Sequence, residues 1–292
     1  MKRSLSTVLI GLFLLIPAVG AQDGIVPVEI TPDVIYGHKM GMALTFDVLR
    51  PSDANGAGVL FMVSGGWFSR YSPPQRTAGR FAELLEAGFT VFAVRHGSAP
   101  LFKVPEAVAD VSRATRFIHL HAADYGVDPN RLGVFGGSAG GHLSLMLGLA
   151  GDDGDPEATD PVLAAPSHIA AVVAYFPPVD LIGLTGPNER FPALDFSADL
   201  AEAISPIFHV SADDPPSLMI HGDADELVPL ANSERILASL QEAGVTSDLI
   251  VLEGAAHGFR GEDAKTAGTA MRDWFLAHLT ESDDAGQATG GN

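Results

Sequence analysis

Residues 131–149 read RLGVFGGSAGGHLSLMLGL, and the stretch changes character twice. The run from Arg131 to Phe135 has the length and composition of a short buried strand, and from His142 to Leu149 the composition is helical. Between them lies Gly136-Gly137-Ser138-Ala139-Gly140, a G-x-S-x-G pentapeptide. In a chain with 32 glycines the bare pattern is weak, so its setting carries the meaning. Strand, tight turn and helix in this order push a serine hydroxyl out at the C-terminal edge of a sheet. The glycines permit a strained turn without side-chain clashes. The N-terminus of the following helix offers N–H groups and a positive dipole end to a developing oxyanion.

Outward from this stretch, strand-like and helix-like segments alternate. Met42–Leu49, Val59–Val63, Phe89–Val94, Ile169–Phe176, Ser217–His221 and Asp248–Leu252 read as strands, several of them continuously apolar, as expected for burial on both faces. Residues 80–87 read as a helix closed by Gly88. Pro105 opens a long helix whose face carries Val104, Val108, Val111, Thr115 and Ile118. Two more helices are predicted, near residues 230–243 and around Met271, Trp274, Phe275 and Leu279. This alternation predicts one mostly parallel sheet covered on both faces. Residues 181–203, with Pro187, Pro192 and several acids, break the pattern and are read as a small cap.

The partners of Ser138 follow in the order nucleophile, acid, histidine. The strand ending at His221 runs into Gly222-Asp223-Ala224-Asp225-Glu226, and Asp225 occupies the turn where an orienting carboxylate belongs, with Asp223 and Glu226 as rivals. The next strand is followed by Gly254-Ala255-Ala256-His257, and His257 is the candidate base. The loop Val63-Ser64-Gly65-Gly66-Trp67 is placed to supply further oxyanion donors. The N–H groups of Gly65 and Gly66 are the candidates beside that of Ala139, and Trp67 lines the substrate pocket or packs in the core. His142 lies within the helix after Ser138 and is expected to be structural, pointing away from the base position. His221, Asp223 and Asp225 lack a fourth ligand for a metal, and His96 has no constellation around it. No metal or organic cofactor is expected.

Lys2 and Arg3 precede the apolar run Val8–Ile16, and Val19 and Ala21 complete the pattern of a signal peptide, with cleavage predicted after Ala21. Residues 22–280 are then expected to form a single domain, with 281–292 a disordered tail, and the mature protein to be secreted or periplasmic without a membrane span. The chain has no cysteine, so it is expected to be stable without disulfides. Its 36 acidic against 17 basic residues give a net charge of −19, which argues against nucleic acid as a partner.

The segments YGVDPNRLGVFGGSAGGHL, HGDADELVP and GAAHGF resemble bacterial esterases of the α/β-hydrolase superfamily, above all the BD-FAE-like group and the hormone-sensitive-lipase-like esterases. The resemblance runs from about Met42 to Leu279 and implies an eight-stranded sheet with a minimal cap. It implies Ser138, Asp225 and His257 as a triad, Asp225 being the acid that precedes x-x-V-P. The family's His-Gly-Gly-Gly loop reads Val63-Ser64-Gly65-Gly66 here, so the bracing histidine is missing from its usual place. The expected activity is hydrolysis of carboxylic esters through an acyl-enzyme, on small-molecule or polysaccharide-borne acetyl or feruloyl esters. Two other readings stand beside it: a peptidase of the prolyl-oligopeptidase type, and a silent member of the fold that binds a glycan or a protein.

Overall fold

The computed structural model describes residues 27–280. The expected signal segment (1–21) and tail (281–292) lie outside the described residues. Eight strands form one sheet: β1 (Val28–Lys39), β2 (Met42–Pro51), β3 (Gly58–Met62), β4 (Thr90–Val94), β5 (Leu132–Gly137), β6 (Ala171–Tyr175), β7 (Ser217–Gly222) and β8 (Ser247–Leu252). Their spatial order is β1-β2-β4-β3-β5-β6-β7-β8. β1 and β2 pair antiparallel, as do β2 and β4, and every pairing from β4 to β8 is parallel. The order turns back between β3 and β5, and beyond the carboxyl ends of strands at such a switch point an open α/β sheet places its site.

The helices are α1 (Pro74–Thr77), α2 (Ala82–Glu86), α3 (Val104–Leu120), α4 (Ala139–Leu149), α5 (Pro161–Ala164), α6 (Ala231–Glu242) and α7 (Gly261–Leu279). Alternation along the buried strands divides the apolar residues between two cores. Leu60, Met62, Val134 and Met219 pack with Val111 and Ile118 of α3, Leu143 of α4 and Ile236 of α6. Val59, Val91, Phe135 and Leu218 face the other side, with Leu84 of α2 and Met271 and Phe275 of α7. A strand buried on both faces must be apolar at consecutive positions, which is why β3 and β4 read as unbroken runs.

Two elements differ from the sequence reading. The predicted helix over 80–87 is split between the end of a 3-10 turn at Ala78–Phe81, which contains Gly79, and α2, and the short α1 precedes them. The residues between β6 and β7 form the expected cap as a chain of 3-10 turns at Pro192–Leu194, Ala198–Leu200, Glu202–Ile204 and Pro206–Phe208. Among the described residues no helix is long and apolar enough to cross a membrane.

Candidate active site

Ser138 sits between β5 and α4 with φ +56° and ψ −121°, a conformation that L-residues rarely adopt. The glycines around it make the turn possible. A Cβ on Gly136 would lie 2.5 Å from the carbonyl carbon of Gly140, and one on Gly140 would lie 3.0 Å from the Met62 carbonyl oxygen. The Ser138 N–H donates to Tyr175 O (2.9 Å), which ties the turn to β6. Ala139 opens α4, and its N–H belongs to the first turn of a helix, where no intrahelical acceptor exists.

Asp225 and His257 arrive from the loops after β7 and β8. The His257 Nε2 is 3.0 Å from Ser138 Oγ, and its Nδ1 is 2.7 Å from Asp225 Oδ2. The other oxygen of Asp225 accepts the N–H groups of Leu227 and Val228, each at 2.9 Å. The Asp225 side chain is fully buried, whereas the imidazole of His257 keeps 22% of its surface open. Asp223 is exposed and accepts the Gly254 N–H (2.6 Å), a tie between the two loops, and Glu226 is exposed. Of the three candidate acids, only Asp225 meets the histidine.

The loop after β3 differs in register from the expectation. Gly65 and Phe68 exchange backbone hydrogen bonds of 3.0 Å in both directions, so the Gly65 N–H is consumed within the loop. That closure turns Gly66 (φ +57°) and Trp67 (φ +58°) into left-handed backbone, and neither N–H has an acceptor among the described residues. The available donors are therefore Gly66, Trp67 and Ala139; Gly65 is corrected to a closing residue of the loop.

A brace for this loop exists, from a residue sequence reasoning passed over. His96, just beyond β4, donates from Nδ1 to Gly97 O (2.8 Å) and accepts the Ser64 hydroxyl at Nε2 (2.9 Å). No local pattern marks it, because the contact exists only once β3 and β4 lie side by side. His142 points away from Ser138, as expected: Nε2 donates to Ile204 O in the cap (2.7 Å) and Nδ1 accepts the Trp67 indole N–H (3.4 Å).

Ser138 opens into a cavity of about 510 Å³ between the elbow and the cap, lined by Gly66, Trp67, Ile182, Leu184 and Phe191 among others. Trp67 satisfies both readings, since it lines this cavity while its side chain is buried against His142. On the opposite flank a cavity of about 480 Å³ is lined by Phe61, Phe135, Tyr175 and Phe259. Phe176 stands between that flank and the histidine, with its ring 4.6 Å from the His257 ring and its backbone at φ +36°. A bulky residue held there marks local strain imposed by its surroundings.

The BD-FAE family model matches residues 46–240, more than half of the chain. The chain belongs to the BD-FAE family. Its mostly parallel eight-stranded sheet is an α/β-hydrolase fold. Among curated proteins it is 29% identical to esterase LipQ of Mycobacterium tuberculosis over 243 residues, 78% of this chain and 57% of that protein. It is 28% identical to the probable carboxylic ester hydrolase LipM of the same organism, over 88% of this chain and 63% of that protein. The chain thus spans only about three-fifths of the length of these curated relatives. Among solved structures, a truncated carbohydrate esterase from gut microbiota superposes with a TM-score of 0.72 at 28% identity, covering 90% of this chain and all of that one. Thermogutta terrifontis esterase 2, in a form phosphorylated by paraoxon, superposes with a TM-score of 0.69 at 26% identity, covering 90% of this chain and 96% of that one.

In this BD-FAE protein the electrostatics of the site follow from its hydrogen bonds. Burial alone would raise the Asp225 carboxyl. The Val228 N–H, the His257 imidazole and the Leu227 N–H outweigh burial and hold it below the ordinary carboxylate range. Asp225 is therefore an anion near neutral pH, placed to keep the His257 Nδ1 protonated and its Nε2 lone pair turned toward Ser138. Such an arrangement can withdraw a proton from the serine hydroxyl as it attacks a carbonyl carbon.

Proposed function

We propose that the protein is a serine carboxylic-ester hydrolase working through an acyl-enzyme. The reading is carried by the chain Ser138 Oγ–His257 Nε2 at 3.0 Å and His257 Nδ1–Asp225 Oδ2 at 2.7 Å, opening into a cavity beside free N–H groups. Ser138 attacks the ester carbonyl while His257 takes its proton, and Asp225 holds the imidazole in the productive tautomer. The N–H groups of Gly66, Trp67 and Ala139 receive the oxyanion, a contribution worth about 10²–10³-fold in rate per donor. His257 then protonates the departing alcohol. Water, deprotonated by the same histidine, attacks the acyl-enzyme, and His257 gives that proton to the departing Ser138 oxygen as the acid is released.

The finer reading is a secreted or periplasmic enzyme for acetyl or feruloyl esters borne on polysaccharides. It is supported by the signal-like residues 1–21 and by the likeness to a carbohydrate esterase. The decisive experiment compares wild type and Ser138→Ala on p-nitrophenyl esters from acetate to decanoate, and on methyl ferulate. The substitution is expected to remove activity by roughly 10⁵-fold or more. Absence of ester hydrolysis by folded wild type would overturn the proposal. Release of acetate or ferulate from acylated xylan tests the substrate class, and its absence would confine the enzyme to small esters.

A further inference from the structure

Behind the acid lies a second histidine that the reaction described above does not use. His221 is the penultimate residue of β7, with its side chain wholly buried. Its Nδ1 is 2.7 Å from the hydroxyl of Ser233, a fully buried residue of α6. Its Nε2 is 2.8 Å from Val228 O and 3.4 Å from Asp225 Oδ2, the same carboxylate oxygen that accepts the His257 Nδ1–H. Nε2 faces two acceptors, so it must carry the proton. A lone pair there would oppose a carbonyl and an anion at once. Ser233 completes the assignment, since its hydroxyl can donate to the remaining lone pair on Nδ1. Asp225 and His257 are the ionisable groups facing this imidazole, and its burial keeps it neutral, lowered from the ordinary histidine value although Val228 O and Asp225 act the other way.

We propose that His221, fixed by Ser233, is a positioning residue that holds Asp225 Oδ2 in line with His257 and shares the carboxylate's charge. The inference rests on the reading of Ser138, His257 and Asp225 as a triad. The geometry supports it from both sides of the carboxylate. Oδ1 is pinned by the N–H groups of Leu227 and Val228, and those bonds alone leave the carboxylate free to swing about the pinned oxygen. The His221 Nε2–H closes that freedom and draws the Val228 carbonyl into the same frame. The Nε2–H dipole, 3.4 Å from Oδ2, also offsets some negative charge on the face presented to His257.

The test uses His221→Leu, His221→Gln and Asp225→Asn with p-nitrophenyl acetate, counting active sites by fluorophosphonate titration so that misfolded protein is excluded. His221→Leu is expected to lower kcat per titrated site by roughly 10- to 100-fold, the scale of one hydrogen bond to a charged group, with KM within about twofold. Glutamine can place an amide N–H near the Nε2 position and should restore kcat to within about threefold. In the Asp225→Asn background the leucine effect should shrink below about threefold, since the group it acts through has lost its charge. Unchanged turnover per site with a lowered Tm alone, or an equal loss in the Asp225→Asn background, would overturn the inference while leaving the triad reading standing. Loss of Ser138-dependence in the wild type would instead remove the triad reading itself.

Discussion

His142 gives the most quantitative prediction, because burial lowers its pKa from 6.5 to about 4, opposed only in part by its hydrogen bond to Ile204 O. The folded value lies below the unfolded one. The unfolded chain therefore takes up a proton as pH falls through 6.5, while the folded protein refuses it until about pH 4. Stability linked to this group is thus complete above 6.5 and is lost progressively down to the folded value, below which no more is lost. At 1.36 kcal/mol per pKa unit, the loss between pH 7 and pH 4.5 comes to about 2.5 kcal/mol, a large share of a typical 5–15 kcal/mol. The structure gives the cause: the ring is wholly buried, away from water that could solvate an imidazolium, and its Nδ1 faces the Trp67 indole N–H, a donor.

The perturbation is His142→Gln, which does not titrate yet can still donate to Ile204 O. Urea unfolding of wild type and variant, measured from pH 7 to pH 4.5, yields a difference curve in which all other titrations cancel. The wild type should lose about 2.5 kcal/mol relative to the variant across that window. A difference flat to within about 0.5 kcal/mol would refute the account, since it would mean that the site accommodates the imidazolium.

Asp225→Asn should lower kcat about 10⁴-fold by permitting the wrong imidazole tautomer, whereas Asp223→Asn should stay within about threefold; steady-state kinetics on one ester separate the two acids. Gly65→Ala should leave kcat within about twofold, because its N–H is used by Phe68 and a Cβ there meets nothing within 4 Å. Gly66→Ala should cost at least about tenfold, since its φ is +57° and the new Cβ would lie 3.1 Å from the Phe191 ring. Asp47→Ala leaves the mostly buried Arg95 guanidinium hydrogen-bonded only to Thr45 and the half-exposed Asp33. It should cost about 3–5 kcal/mol, read by calorimetry as a fall in Tm of roughly 10 °C.

Much of the fold is legible because burial leaves a plain pattern. β3 and β4 are apolar at nearly every position for want of a solvent-facing side, and α3 repeats apolar residues at helical spacing. β1 is hidden for the opposite reason. It is an edge strand, buried only at Tyr36 and Gly37, contains Pro32, and shifts register between Thr31 and Val34 and again between Ile35 and Gly37. An edge strand with two bulges has no alternation to read. The oxyanion loop was legible as a Gly-rich turn but not in register, because the exchange between Gly65 and Phe68 that frees Gly66 and Trp67 is a backbone closure that their side chains do not encode.

The histidines show where sequence reading stops and why. His96, His142 and His221 are all buried, and burial lowers the pKa of each. Each gives one N–H to a backbone carbonyl, of Gly97, Ile204 or Val228, and takes a hydrogen from Ser64, Trp67 or Ser233 at the other nitrogen. A neutral imidazole with one donor and one acceptor site is fully used by such a pair of partners, so His96 and His142 serve as rigid spacers, while His221 also lies 3.4 Å from the Asp225 carboxylate. His257 is the exception, because its Nδ1 faces a carboxylate, its Nε2 faces the Ser138 hydroxyl, and its ring is partly open to solvent. Of these four, only His257 has the serine hydroxyl at one ring nitrogen and the Asp225 carboxylate hydrogen-bonded at the other. The chemistry of each imidazole is set by what stands across from its second nitrogen, and apart from the Gly97 carbonyl and the Asp225 carboxylate beside His221 those partners lie seven or more residues away in the chain.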